Sequence, residues 1–114
     1  MSVEGCRIVD NLNGIQFRNS QVSLARSVIA DCLLEGNLVN GANLRDSMVR
    51  ILGSKVSNNR RGLYLQRSTG EVRGNVLSGN SEHGILLEDS DCTVQHNRVG
   101  GNGRSGVKMT DATG

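Results

Sequence analysis

Residues 51–68 read I-L-G-S-K-V-S-N-N-R-R-G-L-Y-L-Q-R-S, and residues 72–90 read V-R-G-N-V-L-S-G-N-S-E-H-G-I-L-L-E-D-S. The two stretches are copies of one unit, in which an asparagine leads to a glycine and then to a short apolar strand. Working outward from them, the glycines that precede such strands are Gly14, Gly41, Gly62, Gly84 and Gly106, spaced 27, 21, 22 and 22 residues apart. The strand after each glycine alternates with a period of two, so its first and third residues share a face. That puts Ile15, Ala42, Leu63, Ile85 and Val107 in one apolar column and Phe17, Leu44, Leu65, Leu87 and Met109 in a second.

The same register gives a third apolar column of Val3, Leu24, Ile51, Val72 and Val94, and a fourth of Ile8, Ile29, Val56, Leu77 and Val99. Between these two stand Cys6, Ser27, Ser54, Asn75 and Asn97. A turn column of Asn11, Cys32, Asn59, Asn80 and Asn102 leads to the glycines. Asparagine tolerates left-handed backbone, and stacked asparagine side chains can bond one another as a ladder. The Asn and Gly columns are therefore expected to be structural. One copy is longer, and its five extra residues are assigned to positions 33–40. Such a loop carries function, tucks Leu33 and Leu38 over the core, or contacts another chain.

A helical-hairpin repeat needs about 33 residues or more, and a leucine-rich repeat needs a helical segment with its own leucine spacing. No 3.6-residue periodicity is present. The reading that remains is an all-β fold, a single-stranded parallel β-helix of about five rungs over residues 1–114. Its rungs would stack about 4.8 Å apart, with the apolar columns inside.

Composition narrows the function. There are 15 glycines and no proline, which points to turns needing positive φ rather than to a flexible linker. One Phe, one Tyr and no Trp leave few stacking platforms, and a net charge of +2 does not call for nucleic acid. Three cysteines, an odd number without a C-x-x-C pair, read as small core residues rather than a disulfide framework. No apolar run is long enough for membrane insertion, and the opening M-S-V-E-G-C-R fits the repeat rather than a signal peptide.

The repeat N-x-V-x-x-N-x-x-x-G-I-x-L-x-x-S is clearest at residues 75–90 and nearly as clear at 97–111. It resembles the right-handed parallel β-helix repeat family, which includes periplasmic copper-maturation proteins, alginate C5-epimerases and polysaccharide lyases and hydrolases. The resemblance implies a right-handed coil, an extracellular or periplasmic location, and frequent action on acidic polysaccharides. The epimerase D-P-H tripeptide is missing here, as are N-x-D and paired-Asp motifs, so no catalytic residue is assigned and an enzyme is not expected.

Asp46, Asp89 and Asp111 share a turn column with Asn19 and Arg67. Calcium at Asp89 and Asp111 is the one cofactor these carboxylates suit; otherwise they are solvated turn formers. His83, placed in the turn before Gly84, and His96, beside Asn97, occupy different columns and give no metal spacing, while Met48 and Met109 look core-like. Arg7, Lys55 and Arg98 fall in one outward column with Val28 and Val76 between them, and Arg60 and Arg61 lie on an adjoining turn. Such a face could hold an extended polyanion.

Two functions are expected on these grounds. The first is a non-catalytic structural or interaction module, a fragment or an assembling unit, whose open ends meet other copies of the chain or the rest of a longer β-helix. The alternative is binding or processing of acidic polysaccharide on the basic face formed by Arg7, Lys55, Arg98, Arg60 and Arg61.

Overall fold

The protein is described by a computed structural model over residues 2–18 and 27–110. Among the described residues, fifteen strands coil into three parallel sheets of five. Sheet A holds β1 (Ser2–Glu4), β4 (Ser27–Ala30), β7 (Met48–Leu52), β10 (Thr69–Arg73) and β13 (Asp91–Gln95). Sheet B holds β2 (Arg7–Val9), β5 (Leu33–Glu35), β8 (Lys55–Ser57), β11 (Val76–Ser78) and β14 (Arg98–Gly100). Sheet C holds β3 (Asn13–Arg18), β6 (Asn40–Arg45), β9 (Arg61–Gln66), β12 (His83–Glu88) and β15 (Ser105–Thr110). One strand from each sheet makes a rung, so five rungs stack in a β-solenoid, as the repeat predicts.

The core is the set of inward columns. Leu63, Ile85, Leu77, Val56, Ile51 and Val72 are fully shielded from solvent. Each lies over its counterpart in the next rung, for example Leu63 on Ile85 and Val56 on Leu77. Burial of this kind contributes about 25 cal/mol per Å² of apolar surface.

The corners follow one rule. A residue with left-handed φ turns the chain, and the residue after it points inward and accepts the backbone N–H of the preceding rung. Between sheets A and B the turning residues include Gly5, Asp31, Gly53, Gly74 and His96, followed by Cys6, Cys32, Ser54, Asn75 and Asn97. Between B and C they include Asp10, Gly36, Asn58, Gly79 and Gly101, followed by Asn11, Asn37, Asn59, Asn80 and Asn102. Between C and A they are Asp46, Arg67 and Asp89, followed by Ser47, Ser68 and Ser90. In the B–C ladder the N–H groups of Asn11, Asn37, Asn59 and Asn80 donate to the next Oδ1 at 3.1, 2.9, 3.0 and 3.1 Å.

The column glycines have a different role from the one composition suggests. Gly41 is not left-handed; a Cβ there would stand 2.6 Å from the Gly62 carbonyl and 3.0 Å from Asn59 Nδ2. Close approach of the next rung requires glycine, not a special φ.

The second rung departs from the sequence register. Ile29, not Leu24, pairs with Val3 and Ile51, and Leu34, not Ile29, pairs with Ile8 and Val56. Cys32 belongs to the A–B corner, where its N–H donates to Ser54 Oγ at 3.1 Å, and Asn37 takes the place in the asparagine ladder assigned to Cys32. Ser27 belongs to β4. Phe17 and Ile29 are 12 residues apart, whereas their partners Leu44 and Ile51 are 7 apart. The five extra residues therefore fall within 19–26, which, with Asn19 and Leu24, lie outside the described residues. Residues 33–35 are an ordinary strand, and Leu38 is exposed rather than tucked over the core.

The ladder gives a direct test. The Asn80 side chain accepts from Asn59 N–H and donates to Val56 O at 3.2 Å and to Asn102 Oδ1 at 2.9 Å. Asn80→Ala strands buried partners and is expected to cost about 3 kcal/mol in chemical denaturation. Asn11→Ala, at the exposed first rung, is expected to cost less than about 1 kcal/mol.

Candidate functional site

Two outward faces carry the polar chemistry. The first is the basic column of sheet B. The register reads Arg7, Leu33, Lys55, Val76, Arg98, so Leu33 stands where Val28 was expected; Val28 lies on sheet A beside Arg50. The cations recur at every second rung, about 10 Å apart. Among the described residues none of the three makes an ion pair. A shallow groove of about 550 Å³ runs beside Lys55 and Arg98 but not Arg7, lined by Lys55, Val76, Ser78, Arg98, Gly100 and their neighbours.

Arg60 and Arg61 are not part of this column. Arg60 pairs with Glu82 of the next rung and holds its carboxyl below the usual range. Arg61 opens β9 on sheet C, with its guanidinium 4.7 Å from the centre of the Tyr64 ring.

The second face is the outside of sheet C, which the repeat reading left unassigned. Asn40, Arg61 and His83 stack in register, as do Asn43, Tyr64 and Leu86 beside them. Tyr64 Oη donates to Glu88 Oε2 at 2.7 Å, and Gln66 Nε2 donates to Tyr64 Oη at 2.6 Å. Burial, and then the Glu88 carboxylate, push the Tyr64 phenol up, so it stays a donor. His83 is 94 % buried, being 6 % exposed, and begins β12 rather than standing in a turn. Asn40 Oδ1, Asn43 Oδ1, Arg61 Nε and His83 Nδ1 are buried yet make no hydrogen bond among the described residues. All four belong to this one face. Native proteins rarely leave such groups without partners, so their grouping marks a polar, hydrogen-bonding strip. The signal in the sequence was the polar residue immediately before each column glycine: Asn13, Asn40, Arg61, His83 and Ser105.

Other expected residues are scattered. His96 is a left-handed corner residue, a conformation in which His is enriched. Met48 and Met109 are 45 % exposed, not core. Cys6 is exposed, while Cys32 and Cys92 are buried. Asp89 turns the C–A corner, and Asp111 lies outside the described residues. No three His, Cys, Asp or Glu side chains converge among the described residues, and no helix there is long and apolar enough to cross a membrane. A depression of about 410 Å³ on sheet A, lined by Met48, Arg50, Gly70 and Glu71, has its charges committed to the Arg50–Glu71 ion pair.

A family model for the right-handed β-helix region matches residues 1–114. The chain belongs to the right-handed β-helix family. The match fixes the hand of the coil, which the repeat arithmetic leaves open. No curated protein and no solved structure matches the chain. Membership of this family fixes the fold and leaves function to be argued from the outward faces and the ends.

His83 makes the polar strip sensitive to pH. Burial, and then the nearby Lys108, lower its pKa below the ordinary 6.5. The folded protein therefore favours neutral His83. Its contribution to stability is complete above about pH 6.5 and is lost as pH falls through the lowered value. Between pH 8 and 5 the melting temperature should fall, and His83→Gln should flatten that part of the profile.

Proposed function

We propose that the chain is a non-catalytic structural module that docks through its end rungs onto further β-helix rungs, first of all those of a second copy. The polarity of its ladders carries this reading. Every rung donates its corner N–H to the side chain of the next, so among the described residues the ladder ends with spare N–H donors at Asn97 and Asn102. At the opposite end Asn11 Oδ1 accepts no hydrogen bond among the described residues. The two ends are complementary, and head-to-tail contact would extend all three sheets. The last rung supports this: Val107 and Met109 are 41 % and 45 % exposed, whereas Ile85 and Leu87 beneath them are fully shielded.

Native mass measured over a concentration series should rise, with stacks visible by electron microscopy. Met109→Lys places a charge against the partner's apolar column and should weaken association at least about tenfold while leaving the monomer folded. A wild-type chain that stays monomeric at high concentration, with slow amide exchange in its end strands, would remove the proposal.

A second reading, binding of an extended acidic polysaccharide, is favoured by the unpaired cations of sheet B. Lys55 and Arg98 flank Val76 along a groove, and a linear polyanion laid across the rungs would meet a cation at regular intervals. Lys55→Glu combined with Arg98→Glu should abolish polyuronate binding that is salt-sensitive in the wild type. Unchanged binding by this variant but loss in Arg61→Ala would move the site to sheet C.

A further inference from the structure

Cys6 and Cys32 occupy the same place in successive rungs. Leu33 N–H donates to Cys6 O at 2.8 Å, and the following residues Arg7 and Leu33 pair in register. The Cys6 thiol lies 3.3 Å from Glu4 O and the Cys32 thiol 3.2 Å from Ala30 O. Glu4 and Ala30 are themselves register partners, so the two thiols are stacked one rung apart. Cys32 Sγ also reaches 3.3 Å to Val3 O, which tilts it toward the first rung. Neighbouring rungs hold equivalent Cα atoms about 4.8 Å apart, inside the range of about 4.4–6.8 Å that a disulfide spans. Cys6 is exposed, so a soluble oxidant can reach its thiol. The third cysteine, Cys92, is buried on sheet A among the core residues.

We infer that Cys6 and Cys32 form a redox-controlled disulfide that staples the first rung to the second. The oxidant is a low-molecular-weight disulfide of the glutathione type. The exposed Cys6 thiolate attacks one sulfur of that disulfide, forming a mixed disulfide and releasing one glutathione thiolate. The Cys32 thiolate then attacks Cys6 Sγ, forming the intramolecular bond and releasing the second. Two protein thiols lose two electrons and two protons, and one oxidised glutathione becomes two reduced ones. Burial raises the Cys32 pKa, so the second step quickens with rising pH. The bond closes residues 6–32, the longest coil of the chain, where restricting the unfolded state has most effect.

The test incubates the folded full-length chain with oxidised glutathione, alkylates it and maps it without reduction after trypsin. The expected product has lost two hydrogens in mass, links peptides 1–7 and 27–45, and leaves Cys92 alkylatable after denaturation. Its melting temperature should be higher by about 10 °C. Cys6→Ser should lose both the link and the rise. A stable glutathione adduct on Cys6 with Cys32 free, a dimer through Cys6, or no oxidation at all would overturn the proposal. So would a linked chain that melts no higher than the reduced one.

Discussion

At each corner of the coil a backbone N–H would be left without a strand to pair with. A side chain in the next rung accepts it, and everything else in the structure depends on that bond. It requires a left-handed residue first, so that the following side chain turns inward. Gly74 and Asn75 show the pair at work: Gly74 turns the chain, and Asn75 then accepts Ser54 N–H at 2.9 Å and donates to Ile51 O at 2.9 Å. Because the corners satisfy their own backbone, the inward columns can be wholly apolar and wholly dry. Arg67 is the costliest corner residue, since a long side chain seldom takes positive φ. It is held by two bonds to Asp46, at 2.8 and 3.2 Å.

A scaffold fixed from within leaves its outside free to vary. On sheet B the outward positions became a row of cations, unpaired among the described residues, alternating with Leu33 and Val76. On sheet C they became a strip around the only tyrosine, with Arg61 stacked on its ring and Glu88 bonded to its hydroxyl. The last rung leaves Val107 and Met109 partly exposed, which the proposed end-to-end docking would cover.

Much of this was legible in the sequence because period-two alternation and the corner rule both leave residue types in columns. Sheet C could be read directly from the residues after each glycine. The second rung misled for a specific reason. Leu24, Ser27 and Ile29 have the same spacing and character as Ile29, Cys32 and Leu34, so a shift of five residues preserves the pattern. Asn37 was the discriminating residue, since only the correct register continues the asparagine ladder without a break. The buried polar strip was harder to see. The polar residue before each glycine is visible, but burial on the outside of a solenoid comes from neighbouring rungs, which periodicity does not report. Arg60 shows the same limit, because its pairing with Glu82 crosses rungs.

The A–B corner is not uniform along the chain. Asn75 bonds the rungs on both sides of it, Asn97 grips the preceding rung through both its oxygen and its amide, Ser54 accepts one N–H and donates only to its own rung, and the cysteines of the first two rungs have weak sulfur contacts. Since each rung touches only its neighbours, coupling along the axis is set locally. Successive rungs are thus joined by hinges of unequal strength, softest at the amino-terminal side. Along that corner the solenoid behaves less like a rigid rod than like a zipper whose teeth grip harder toward one end, and thermal opening has a preferred place to start.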